Sequence, residues 1–296
     1  MPRETFLPFA ATLLAIALLS LMDAYMKQAS LVIGAYSALL LRYALAVAVV
    51  APLWLARRER WPSARAMRFH VVRGLVSTAM AFTFFTALVH LPLADAIALS
   101  FISPLIALAL AVLILKERVG RRAMGAAVMG LAGVIVIVAG RIGGGQTSPE
   151  ANLGVVLVLL SAFLYAWNLI LQRQQALLAK PLEIASVQGA VTVLVLATGA
   201  PVFLVLPTAG GWIDVTASAM LGLLGLLLLS WAYARAEAQA LVPVEYTGFL
   251  WAALFGWLFF AEEVSTATLA GAVLIILGCW IAAPRKHTEQ SVAGVT

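Results

Sequence analysis

Ten apolar stretches of about 20 residues, the length a helix needs to cross a bilayer, follow one another with short polar interruptions. They run over 6–28, 32–56, 71–89, 93–115, 123–140, 153–172, 184–206, 217–236, 244–262 and 264–283. Within hydrocarbon every backbone N–H and C=O must find a partner in the protein, which leaves only helices and closed barrels. These runs are too long and too evenly apolar for barrel strands, which alternate over about ten residues. The pattern predicts an all-α, polytopic membrane protein with ten transmembrane helices. The first run follows Arg3 directly, as a signal peptide would. It is longer than a usual h-region and lacks an A-x-A-like cleavage site, so it reads as a retained helix.

Of 296 residues, 64% are hydrophobic and 11% charged, too little polar surface to wrap a water-soluble core. The single cysteine, Cys279, lies in an apolar run and can form no intrachain disulfide. Lysine and arginine collect on one side of the predicted topology. With the N-terminus inside, the cytoplasmic segments hold Arg3, Arg57, Arg58, Arg60, Arg65, Arg68, Lys116, Arg118, Arg121, Arg122, Arg173, Lys180, Arg235, Arg285 and Lys286. Only Lys27 and Arg141 fall on the other side, while Arg42 and Arg73 lie within spans. This bias predicts cytoplasmic N- and C-termini. It also accounts for the net charge of +6 without a nucleic-acid patch, since the cations are scattered over short loops and tails.

Shifting the sequence by 145 residues aligns 87–140 with 232–285 without a gap. Identities are sparse, but Glu117 meets Glu262, Val119 meets Val264 and Gly133 meets Gly278. Five spans precede residue 145 and five follow, predicting repeats at 1–145 and 146–296. A repeat of an odd number of spans must lie upside-down relative to its copy, the inverted arrangement of many secondary transporters. Glu117 and Glu262 each precede the last span of a repeat, positioned to cap a positive helix N-terminus.

Polar residues gather into helical stripes on six spans: Ser20, Asp23 and Lys27; Gly74, Ser77, Thr78 and Phe82; Ala96, Ser100 and Ser103; Ser161, Tyr165, Asn168 and Gln172; Ser230, Tyr233 and Glu237; Glu245 and Tyr246. The fifth and tenth spans carry small residues instead, among them Gly125, Gly130, Gly133, Gly271 and Gly278, suited to a close seam inside the chain or between two copies. Spans 1, 3, 4, 6, 8 and 9 are therefore expected to enclose a polar cavity, with 5 and 10 as packing props. Asp23 is placed to bind an ammonium or a proton, or to pair with Arg42 or Lys27. Arg42 suits a structural ion pair, and Glu245 near the inner mouth suits solvation by the loop. Pro104 and Pro243 suit kinks beside the cavity.

A phosphate loop is missing: the nearest string, Gly140 to Thr147, has Gln146 where lysine is required. Histidines His70, His90 and His287 are expected in separate loops or tails, so no metal cluster is predicted. No nucleophile elbow or zinc-protease helix occurs, and no catalytic residue or cofactor is assigned.

The stretches LPLADAIALSFISPL and LILKERVGRR in the first half, and AYARAEAQALVPVEYTGFLWAALFGWLFFAEEVS in the second, resemble the drug/metabolite transporter superfamily, most closely its EamA-type branch. The resemblance covers the whole chain. It implies two inverted five-helix repeats around a cavity lined by helices 1, 3, 4, 6, 8 and 9. By motif, Lys27 matches the family's lysine at the end of helix 1, Arg42 its helix 2 arginine, and Glu117 and Glu262 the glutamates after helices 4 and 9. Ala261 departs from the pattern, which often has glycine there. The combined expectation is a bacterial inner-membrane exporter of amino acids, favouring aromatic and other apolar side chains and working by alternating access. The expected substrate-binding residues are Asp23, Thr78, Phe82, Ser100, Phe101, Tyr165, Trp167, Asn168, Trp231, Tyr246 and Trp251, with a small-molecule substrate and the lipid bilayer as partners. The alternatives are an importer of a flat metabolite such as a vitamin, purine or nucleotide-like compound, and a membrane binding or scaffold protein without flux. Monomer and homodimer are both compatible with the sequence.

Overall fold

The computed structural model describes residues 3–57, 61–115, 121–143, 148–176, 178–236, 241 and 244–282. Glu117, Glu237, Pro243, His287 and the basic residues Arg58, Arg60, Lys116, Arg118, Arg285 and Lys286 lie outside them. Among the described residues the regular structure is entirely helical. The continuous apolar stretch Arg3–Ala56 is two helices, α1 (3–33) and α2 (35–56), meeting at Gly34 with φ 78° and ψ 149°. Only glycine adopts that backbone readily, because a Cβ would crowd the neighbouring carbonyl.

Helix α3 spans Ala64–His90 and starts seven residues before the apolar run at 71. Ser63 sets the start: its Oγ accepts the Ala66 N–H at 3.2 Å. The predicted fourth span is broken into α4, Leu93–Ser100, and α5, Ser103–Leu115. Pro104 explains the break, since it has no N–H to give to the Ser100 carbonyl. The Ser103 hydroxyl occupies that carbonyl instead at 2.5 Å. Next come α6, Arg121–Gly143, and α7, Pro149–Ala176. A turn at Pro181–Glu183 and a π-helical turn at Ile184–Gln188 lead into α8, Gly189–Ala197. Beyond Ala200–Phe203 lie α9, Ala209–Tyr233, then α10, Gly248–Phe260, and α11, Thr266–Ala282. Among the described residues, four helical stretches are by length and composition able to cross a membrane: Leu7–Ala56, Ala64–His90, Pro149–Gln172 and Ala209–Tyr233. Shorter apolar helices fill the remaining runs.

Small residues decide which helices touch. Gly222 and Gly225 of α9 lie against Met22, Leu19 and Ala15 of α1, while Gly74 of α3 lies against Val191 of α8. The seam of α6 and α11 is tighter: a Cβ at Gly133 would stand 2.6 Å from the Gly271 carbonyl oxygen, and one at Gly271 2.6 Å from that of Gly133. Gly130, Gly133, Gly140 and Gly271 of the fifth and tenth spans thus pack inside one chain, whereas Gly125 is exposed and touches no neighbouring helix. The core they allow contains Met26, Leu39, Leu88, Leu91, Leu93, Leu99, Ile137 and Ile275.

Candidate functional site

Helix α7 carries exposed side chains on both of its faces. Leu153, Val156, Leu160, Phe163 and Trp167 recur every three or four residues and are all exposed, an outward apolar stripe. Gly154, Val158, Ser161, Asn168 and Gln175 mark the opposite, buried face. Tyr165 and Gln172 fall in this inward register and yet are exposed, Tyr165 by 40%. Neighbouring helices therefore leave these two side chains uncovered on the packed side of α7. Tyr165 also lies within electrostatic reach of Arg73 on α3 and of Glu245, which precedes α10. Arg73 in turn senses Tyr43 of α2. Helix α9 repeats the pattern: Leu226 is exposed in the register of buried Gly222, and half-buried Tyr233 follows it seven residues later. The Tyr233 hydroxyl donates to the Glu245 carboxylate. That half-buried pairing, rather than solvation by a loop, holds Glu245.

Of the other expected residues, Asp23 is half-buried on α1 within electrostatic reach of Arg42. The Arg42 guanidinium lies over the rings of Tyr43 and Phe85 at 5.4 and 5.6 Å. Among the described residues neither Asp23 nor Arg42 makes an ion pair, so the structural pair expected of Arg42 is not formed. Thr78 is buried and spends its hydroxyl on the Gly74 carbonyl (2.7 Å) and Thr192 (3.1 Å), joining α3 to α8. Ser100 donates to the Ala96 carbonyl at 2.8 Å. Phe101 and Tyr246 form an edge-to-face pair with centroids 5.2 Å apart. Trp251 stacks on Phe255 at 6.0 Å. Phe82 shares the exposed stripe of Val72 and Leu75, Trp167 that of Leu160 and Phe163, and Trp231 that of Leu224 and Leu227. These three rings are set apart from the inward registers by the turn of their helices.

Asn168 is buried, and its Oδ1 accepts from Arg73 Nε at 3.0 Å and Ser77 Oγ at 3.1 Å. Around it lies a network that sequence reasoning missed. Arg73 also donates to Gln175 Oε1 and, at 3.1 Å, to Gln172 Oε1. Gln175 donates its amide N–H to His70 Nδ1 at 2.7 Å, and His70 Nε2 donates to Glu183 Oε1 at 3.0 Å. His70 is thus a wholly buried residue of α3, not a loop residue. The spacing of Asn168, Gln172 and Gln175 on one helical face was the available signal.

The far end of the bundle is built differently. Leu91 caps α3 eighteen residues after Arg73, about 27 Å along the helix axis. There Lys27 donates to the Leu91 carbonyl at 2.6 Å and to the Glu262 carboxylate. The second Glu262 oxygen accepts the Leu93 N–H at 2.7 Å, capping α4. Glu262 therefore caps a helix N-terminus, but not the expected one: α11 is capped by Ser265, which accepts the Thr268 N–H at 3.0 Å. Beside it buried Asp95 pairs with Arg141 and accepts from the Thr268 hydroxyl at 2.7 Å. Ala261, left-handed at φ 52°, closes α10 with Glu262 N–H bonded to the Gly256 carbonyl at 3.1 Å. The glycine-preferring position of the motif is thus a left-handed cap.

Two successive segments, 8–139 and 152–283, match the EamA-like transporter family. The chain belongs to that family. It is 30% identical over 266 residues to the pseudopaline exporter CntI of Pseudomonas aeruginosa, covering 88% of this chain and 90% of that one. It is also 26% identical over 244 residues to a riboflavin transporter of Brucella anthropi, covering 79% and 83%. A solved structure of 23% identity superposes with a TM-score of 0.60 over 92% of this chain and 96% of its own, an agreement of fold. The EamA-like chain described here is accordingly a multi-pass membrane transporter acting on a small molecule.

Proposed function

We propose that this transporter exports amino acids across a bacterial inner membrane, favouring aromatic and other apolar side chains. The observation that carries the reading is the exposed Tyr165 side chain on the inward face of α7, within electrostatic reach of one cation and one carboxylate. A zwitterion needs both signs of charge, and Glu245 with Tyr233 offers the acceptor for its ammonium group. The paired rings Phe101–Tyr246 and Trp251–Phe255 offer flat apolar surface for the side chain. Kinship with a named exporter supports the direction. In this reading ten helices cross the membrane as two inverted repeats with both termini cytoplasmic, and the repeats rock about this site. The Lys27–Glu262 and Asp95–Arg141 pairs close the outer end, leaving Tyr165 accessible from the cytoplasm.

The test is counterflow in liposomes loaded with unlabelled phenylalanine, methionine or threonine, with labelled amino acid outside. Accumulation lost in Tyr165→Ala and Glu245→Gln, but kept in Trp231→Ala, is the expected result. Accumulation driven by riboflavin alone would instead support a flat-metabolite carrier, a second reading favoured by the riboflavin-transporting relative. Ligand binding without counterflow would mean a binding protein.

A further inference from the structure

Arg73 is a buried cation whose direct partners are all neutral. Its side chain sits in a residue only 9% exposed, and each of its three nitrogens donates to an amide oxygen, of Asn168, Gln175 and Gln172. Among the described residues it makes no salt bridge, whereas Lys27 and Arg141 each hold a carboxylate. The carboxylate joined to its network, Glu183, stands behind both Gln175 and His70. Amide oxygens orient a guanidinium but do not neutralise it. Bringing an uncompensated charge into a membrane interior is costly. An arriving anion offsets that cost, and arginine keeps its charge at any working pH.

The amides are themselves held. Asn168 accepts from Ser77, Ser77 accepts from Gln188 at 3.1 Å, and Gln175 is fixed by His70. A guanidinium locked by such a shell is preorganised for a ligand. Its approach is also defined. Nη2 is bonded to Gln172, which is exposed in the inward register about two turns of helix beyond Tyr165.

Resting on the amino-acid reading above, we propose that Arg73 binds the substrate carboxylate. Asn168, expected from the sequence to touch substrate, is then a positioning residue that aims Arg73. The substrates are molecules carrying a carboxylate beside an apolar group, and removing the carboxylate is the change the site tolerates least.

The experiment is competition against labelled phenylalanine counterflow by phenylalanine, 3-phenylpropionate, which lacks the ammonium, and phenethylamine, which lacks the carboxylate. Arg73→Gln is expected to weaken the two carboxylates by about tenfold or more, the worth of a charge-assisted contact. Phenethylamine should change by less than about twofold in the same variant. Asn168→Asp sets a fixed carboxylate against Arg73 Nε at nearly unchanged shape and should produce the same selective loss, so the test survives poor folding of Arg73→Gln. Equal weakening of all three compounds, or no weakening in Asn168→Asp, would overturn the assignment while the amino-acid reading stands. Wild-type protein that moves or binds none of the three would overturn both.

Discussion

The two ends of the bundle treat buried charge in opposite ways. At the Lys27 end each cation meets a carboxylate, and each carboxylate is further bonded, Glu262 to the Leu93 N–H and Asp95 to the Thr268 hydroxyl. At the Arg73 end the cation is solvated by amides, and Glu245, which like Arg73 lies within electrostatic reach of Tyr165, is held by a phenol. The first arrangement is closed and needs no ligand. The second leaves electrostatic demand unmet beside side chains that neighbouring helices leave uncovered. Polar groups in a membrane protein thus serve two purposes that residue type does not distinguish, and only their partners tell them apart.

The largest expected effect breaks the closed end. Asp95→Ala leaves Arg141 buried without its anion and should lower stability by about 3–5 kcal/mol, read as a fall in the melting temperature of purified protein. Arg73→Met, by contrast, removes a cation that has no fixed anion but strands the buried Gln175 carbonyl oxygen, and should cost only about 1–3 kcal/mol. Equal losses in the two variants would erase the distinction. Next in size is the seam leading to the closed end. Gly133→Val must push α6 away from the Gly271 carbonyl and is expected to cost about 1–3 kcal/mol. An unchanged melting curve would mean that the two helices part without penalty. The smallest effect sharpens the comparison. Ala261→Gly relieves a left-handed alanine at φ 52° and should stabilise the cap that presents Glu262 by up to about 1 kcal/mol. Thermal unfolding beside the Glu262→Gln variant checks whether that gain needs the Lys27 partner.

Much of the helical layout was legible because bilayer thickness fixes run length, and the break before Pro104 follows from a missing N–H. Boundaries slipped where a polar residue governs the start, as Ser63 does for α3. The site was harder to read. Tyr165 and Glu245 stood in the stripes, but Trp167 and Trp231 carry the same ring chemistry as a cavity wall while lying on exposed aliphatic stripes. A helical stripe gives the angular spacing of residues without saying which side faces its neighbours. Asp95, Arg141, Arg73 and His70 find their partners 46 to 173 positions away in the chain, a relation that local spacing does not encode.

Gly34 gives α1 and α2 a junction one residue wide. Where most neighbouring helices are joined by a pliable linker, here two torsion angles are all the freedom there is. The two rods share that single pivot, with Asp23 on one arm and Arg42 on the other. Any change of angle at the pivot alters the distance between Asp23 and Arg42, so the attraction between them is set by two torsions of one glycine.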